Sequence, residues 1–283
     1  MANPVERSQV AASIGSLPAF PRIVSEILAT LDDPDANLNA LTALVRRDPV
    51  LAAKILSQAN VAALSRGHRS PVRDIYPAMS LIGLGQVRQT VLVSCCRGFV
   101  DALLPAGASA YWQHSVAVAV CCEELALHVE QPVSSCIALI AGLLHDIGQL
   151  WLRYYDGDAD AGVHRLVACG ASSITVAERK CFGVDHGQVG AWLAELWSLP
   201  AEIATAIRLH HDREPPCETA VVPLLHVAEV LANALDLTGR AENRVNGISA
   251  RACQHLGLGW GDDVQPLFGR IEARSRHSNA FFT

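Results

Sequence analysis

Two absences do most to narrow the reading of this 283-residue chain. Its nine cysteines are odd in number and none stands in a Cys-x-x-Cys spacing, so neither a disulfide framework nor a thiolate zinc site is indicated. Cys95-Cys96 and Cys121-Cys122 lie inside apolar stretches, where cysteine behaves as a small buried hydrophobe. Long apolar runs are also missing. The longest, Cys136 to Leu144, falls well short of the roughly 18 residues that cross a bilayer. The opening Met-Ala-Asn-Pro-Val-Glu-Arg has no apolar signal core, so the reading is a cytoplasmic protein without membrane contact.

Cationic excess is absent as well. The net charge is −6, which argues against a dedicated nucleic-acid binder, because such proteins neutralise phosphate with a surplus of Lys and Arg. Residues 1–105 carry ten Lys and Arg against eight Asp and Glu, and the remainder twelve against twenty, so the second part is the acidic one. Short helices around Gly67 and Gly83-Leu84-Gly85, with Arg66, Arg69, Arg73 and Arg88, are spaced too loosely for a helix-turn-helix. Direct DNA binding is not expected.

Aromatics are scarce at 5%, and helix-forming Ala and Leu dominate what remains. The pattern predicts an all-α protein. Ile23, Val24, Ile27, Leu28 and Leu31 form a stripe at helical spacing, stopped at Asp32-Asp33-Pro34-Asp35. Asn37 or Asn39 can cap the next helix, and Asp48-Pro49 is a strong start signal for the one carrying Leu51, Ile55 and Leu56. Leu104-Pro105-Ala106-Gly107 marks a lobe boundary. Beyond it, one helix is expected from Trp112 to His128 and another from Ser134 to Trp151, with Asp156 to Asp160 as a polar loop. Further helices run from about His186 to Trp197, from Pro200 to about His211, and from Val222 to Leu235, closed by Gly239; one more lies near Ile248 to Leu256. The domain reading is an N-terminal helical lobe at 10–104, a helical-bundle lobe at 110–215 and a C-terminal helical extension at 216–283.

The chemistry lies in the histidines. His114, His145-Asp146, His186 and His210-His211 come from separate predicted helices, and neutral imidazoles with carboxylates suit iron, manganese or zinc. Adjacent residues on a helix diverge by about 100°, so His145 and Asp146 can flank an ion and Asp146 can bridge two. The same residues admit a plainer reading: His145-Asp146 as a hydrogen-bonded structural pair, and His210-His211 as cations favoured at a helix C-terminus. His68, His128, His164, His226, His255 and His277 read as ordinary core or surface residues.

This ordered set resembles the HD superfamily of metal-dependent phosphohydrolases, and within it the HDOD branch, the HD-related output domain of bacterial signalling proteins. The resemblance spans about Ser13 to Asp212. It rests on Leu17-Pro18-Ala19-Phe20-Pro21, on Asp48 to Leu56 with Ala59-Asn60, and on Ile82-Gly83-Leu84. In the second half it rests on Gly142 to Gly148, Phe182 to His186, Trp197 to Pro200 and His210-His211-Asp212. It implies a multi-helix HDOD fold, with the bundle lobe HD-like, and a role in bacterial signal transduction, often beside receiver modules of two-component systems.

The resemblance also implies site roles. His114, His145, Asp146, His186, His210 and His211 match metal-ligand positions of the related HD-GYP cyclic-di-GMP phosphodiesterases, and Glu229 stands where a closing aspartate is expected. Gln149 replaces a phosphate-contacting lysine, with Arg153 one turn on as the nearby cation, and no Arg-Pro-Tyr-Arg-like substrate segment follows Glu229. The expectation is a non-catalytic regulatory protein that acts through a signalling partner and retains a divalent-metal site; a homodimer is compatible with it. The alternative is a metal-dependent phosphodiesterase for a cyclic dinucleotide or nucleotide.

Overall fold

A computed structural model describes residues 4–29, 34–67, 70–104, 108–170, 173–212, 214–238, 247–261 and 264–282. These residues are all-α, without a strand among them. The chain divides into two compact units. One is Pro21–Gly98; the other joins the residues up to Phe20, which carry α1 (Arg7–Ser13), to Phe99–Phe281.

The smaller unit begins with α2 (Arg22–Ala29) and α3 (Pro34–Arg47). Helix α3 starts at Pro34, so Asn37 and Asn39 lie inside it and not at its cap. The Asp48-Pro49 signal works as read. The Asp48 carboxylate accepts from the backbone N–H of Val50 at 2.8 Å and of Leu51 at 3.1 Å, starting α4 (Pro49–Ser65). Such a cap is worth about 1 kcal/mol. Asn60 on α4 then holds the following loop: its Oδ1 accepts from Val72 N at 2.7 Å and its Nδ2 donates to Val72 O at 3.1 Å. Helix α5 (Ile75–Ile82) packs on α4, and α6 (Leu84–Leu103) leads out of this unit at Gly98.

The larger unit is built around α7 (Ala108–Ala126) and α8 (Ser135–Leu144), which pack on each other along their length. Val116 to Cys122 are buried without interruption, as are Ala138 to Leu144, so both helices are covered on every side. Around them stand α9 (Ile147–Tyr155), α12 (His186–Leu196), α13 (Ala201–Leu209) and α14 (Val221–Ala234). The pairs α9 with α12, α12 with α13, and α14 with α7, α8 and α13 are in contact. Helices α10 (Gly157–Ala168) and α11 (Ile174–Phe182) form a neighbouring pair.

Several sequence expectations change here. The helix expected over Ser134 to Trp151 is two helices, broken at His145-Asp146. Asp156 to Asp160 is no loop: Asp156 caps α10 through Asp158 N and Ala159 N, and Asp158 and Asp160 lie in its first turn, where acidic groups favour the helix dipole. The lobe boundaries also move. The amino-terminal segment belongs to the His-bearing unit, because Val5 N donates to Phe182 O at 2.8 Å and Trp151 Nε1 donates to Ser13 Oγ at 2.8 Å. Residues 216–283 are not a separate extension either, since α14 is a core helix of that unit. The boundary signal at 105–107, the stop at Gly239, and His68, Arg69 and Asp32-Asp33 lie outside the described residues.

A further helix, α16 (Gln265–Phe282), follows α15 (Ala250–Leu256) and was not expected. Leu267 and Ile271 are buried, but its firmest ties to α7 are ionic. Arg274 pairs with Glu123 and, at 2.6 Å, with Glu124; Arg270 meets Glu124 at 3.2 Å.

Ser135–Tyr155 is the one helical stretch among the described residues with the length and composition to cross a bilayer. It is 83% buried inside the protein and carries His145 and Asp146 at its break.

Candidate metal centre

Local chain geometry places each donor at the end or edge of a helix. His145 closes α8 and Asp146 opens α9; His186 is the first residue of α12; His210 closes α13 and His211 follows it; His114 projects from α7. Glycines let the helices come close enough for these ends to meet. A methyl group on Gly148 would fall on the carbonyl oxygen of His186 and within 2.8 Å of Gly190 N, so α9 and α12 touch backbone to backbone beside the donors. Gly142 does the same for α8 and α7, where a methyl would lie 2.5 Å from Ala119 Cα.

The result is one buried cluster. His114, His145, Asp146, His186 and His210 are at most 1% exposed, while the His211 side chain is 28% exposed and forms the open edge. Asp146 is central. Its Oδ2 lies 3.4 Å from His114 Nε2 and 3.5 Å from His145 Nε2, and its Oδ1 lies 3.3 Å from His186 Nε2 and 3.6 Å from His210 Nε2. Two donor groups therefore share one carboxylate: His114, His145 and Asp146 on one side; Asp146, His186, His210 and His211 on the other. Within each group the donor atoms lie within 4.8 Å of one another.

Hydrogen bonding fixes which ring atoms face inward. His145 Nδ1 is 2.8 Å from Gly142 O, and His210 Nδ1 is 2.6 Å from Ile207 O. A carbonyl only accepts, so both Nδ1 atoms carry protons and donate. His186 Nδ1 donates to Glu178 Oε2 at 2.6 Å, and its backbone N–H donates to the same oxygen at 3.0 Å. The Nε2 atoms of His186 and His210 are then 3.2 Å apart, and in neutral rings both present lone pairs. Two lone pairs at that distance repel unless a proton or a metal cation lies between or beside them.

The charges respond to this crowding. Burial opposes ionisation of Asp146, yet His145, His186 and His210 hold its carboxyl well below its ordinary value. Burial also opposes a charge on His186, but Glu178 and Asp146 overcome it and raise the ring to about 10. His211 moves the other way, pushed well below its ordinary value by burial and then by His210 and His186.

The sequence-predicted residues separate into those brought together and those left aside. His114, His145, Asp146, His186, His210 and His211 converge. Glu229, on α14, is in neither donor group; its Oε2 stands 4.0 Å from His211 Nδ1. Gln149 is half-buried on the first turn of α9, and Arg153 is exposed one turn beyond. One residue escaped the sequence reading. Glu178 is a buried carboxylate eight residues before His186, a distance that carries no helical signal. His226, read as an ordinary core or surface histidine, is one: it is buried, bonds the backbone of His210 and accepts from Ser249 N at 3.4 Å.

Comparison with known proteins identifies the family. The HDOD domain family matches residues 17–213. An uncharacterized protein of Treponema pallidum (strain Nichols) is 25% identical over 205 residues, covering 72% of this chain. The chain spans 39% of the length of that relative. An HDOD domain protein of unknown function from Geobacter sulfurreducens superposes with a TM-score of 0.74 at 26% identity, over 98% of this chain and 97% of its own. A protein named for signal transduction from Marinobacter aquaeolei VT8 superposes with a TM-score of 0.73 at 25% identity, over 94% of this chain and 59% of its own. With a match that covers well over half of its residues, the six residues of the buried cluster among them, the chain belongs to the HDOD domain family.

Proposed function

We propose that this chain is a non-catalytic signalling unit that holds a divalent transition metal in its His/Asp cluster and acts through a protein partner. The observation that carries the metal is the pair of inward Nε2 atoms of His186 and His210, 3.2 Å apart with Asp146 Oδ1 beside them. Their Nδ1 protons are already committed to Glu178 and Ile207 O, as ligating imidazoles require. Two groups that share Asp146 would hold metal: Asp146, His186, His210 and His211 on one side, and His114, His145 and Asp146 on the other. This nitrogen-rich set favours iron, manganese or zinc over magnesium or calcium. Bound there, the ion would supply Lewis acidity and a fixed positive charge.

Absence of catalysis is supported at Gln149. Phosphoryl transfer depends on neutralising charge that develops on the phosphoryl oxygens. A half-buried amide can donate a hydrogen bond but brings no charge, and the nearby cation, Arg153, is exposed at the far end of α9. Loss of one such electrostatic contact costs on the order of a hundredfold in rate. The intact donor set favours the second reading, a phosphodiesterase of a cyclic dinucleotide or nucleotide.

One experiment separates the two. Purified protein is analysed for iron, manganese and zinc, then assayed with cyclic di-GMP in the metal found, beside Asp146→Ala. Bound metal without turnover supports the regulatory reading. Robust turnover abolished by Asp146→Ala overturns it in favour of the phosphodiesterase.

A further inference from the structure

The two donor groups that share Asp146 are built differently. The first offers three groups, His114, His145 and Asp146. The second offers four. The supports behind the rings differ too. His145 and His210 close helices, so a carbonyl three residues back in their own helix accepts the Nδ1 proton. His186 opens a helix and has no preceding turn to supply that carbonyl. Glu178, from α11, takes its place.

Glu178 does two things at this helix start. Its Oε2 accepts from the backbone N–H of His186, one of the donors a helix start leaves unsatisfied, and from Nδ1 of the ring. Ring and backbone are thereby fixed to one oxygen, which leaves the Nε2 of His186 a single direction, toward Asp146 and His210. The carboxylate is 3% exposed, so its full negative charge acts on the imidazole in a low-dielectric setting and makes Nε2 a stronger donor.

Resting on the reading that the cluster holds a metal, we propose that Glu178 is a positioning residue that makes the Asp146/His186/His210/His211 half the tight half of an unequal two-part site. The His114/His145 half then takes a second ion only after the first is filled.

The test is calorimetric titration of the metal-stripped full chain with Zn2+, in wild type, Glu178→Gln, His114→Ala and His210→Ala. Glutamine keeps an oxygen acceptor for Nδ1–H and removes only the charge. Kd for the first equivalent should rise about 10- to 100-fold in Glu178→Gln, the range found for groups that orient metal-bound histidines, and stay within about threefold in His114→Ala. In His210→Ala the tight equivalent should be lost. A readout without metal accompanies these: the proton on His186 Nδ1 should give a far-downfield resonance that moves upfield in Glu178→Gln. An unchanged first Kd in Glu178→Gln, or loss of the tight equivalent in His114→Ala, overturns the inference and leaves the metal reading standing. No Zn2+ uptake by wild type overturns both. Should Glu178→Gln fail to fold, the ranking of His114→Ala against His210→Ala decides.

Discussion

Metal-free protein should lose stability steadily as the pH rises from neutrality, and His186 is the reason. Its ring is raised from 6.5 to about 10, because Glu178 and Asp146 stabilise its cationic form more than burial opposes it. A group whose folded pKa lies above its unfolded value stabilises the folded state fully below the unfolded pKa and ceases to do so as the pH passes the folded one. The window is therefore about pH 6.5 to 10. Within it the unfolded state has given up a proton that the folded state keeps, so stability falls by about 1.4 kcal/mol per pH unit for one proton. Across the window this amounts to on the order of 4 kcal/mol, a large share of the 5–15 kcal/mol typical of a folded domain. Asp146 sets the opposite limit. Its lowered pKa contributes stability that is fully present above the ordinary carboxylate range and lost as the pH falls below that range toward the lowered folded value. The assay is urea denaturation of chelator-treated protein at half-unit steps from pH 6 to 10, beside His186→Gln. Other groups, including the buried thiols of Cys96 and Cys121, titrate late in both proteins, so the difference between the two curves isolates His186. A wild-type curve that is flat from pH 6.5 to 9.5, or one parallel to that of His186→Gln, would refute the reasoning.

Two further outcomes follow from packing. Gly148→Ala should cost about 3 kcal/mol or more and weaken metal uptake, because its methyl collides with backbone of α12 that neither a rotamer change nor a small side-chain shift relieves. Gly157→Ala, where nothing lies within 4 Å, should stay within about 0.5 kcal/mol; equal melting temperatures for the two variants would discredit the close-approach argument. Arg274→Ala should cost about 2–4 kcal/mol, because it removes a guanidinium shared by the buried carboxylates of Glu123 and Glu124, and denaturation at low and high salt would show a loss that added salt does not abolish.

The sequence carried those features of the fold that are local. Asp48-Pro49 announces α4 because cap and first turn are four adjacent residues, and the stripe on α2 is visible because one face is buried and the other is not. The break at His145-Asp146 could not be read the same way. Apolar residues run through it on both sides, since α8 and α9 are both buried, so periodicity gives no sign that the chain turns. Helix α16 was missed for the opposite reason: it docks partly through Arg270 and Arg274, residues that read as a solvated face until their partners on α7 are known.

The same division runs through the candidate site. The donors themselves were legible, because their order and flanking motifs resemble those of a family that uses them. What orients them was not. A carbonyl behind His145 or His210 belongs to the backbone and has no residue identity to detect, and Glu178 is paired with His186 only once α11 and α12 are folded against each other. Yet those acceptors decide the chemistry. By taking the Nδ1 protons they turn the Nε2 atoms of three imidazoles inward around Asp146, and a buried cluster of histidines becomes an arrangement that requires a cation. Whether the cation is a proton or a metal ion depends on pH and metal supply: each unit of pH below the His186 pKa favours the proton about tenfold at Nε2, the atom a metal must use.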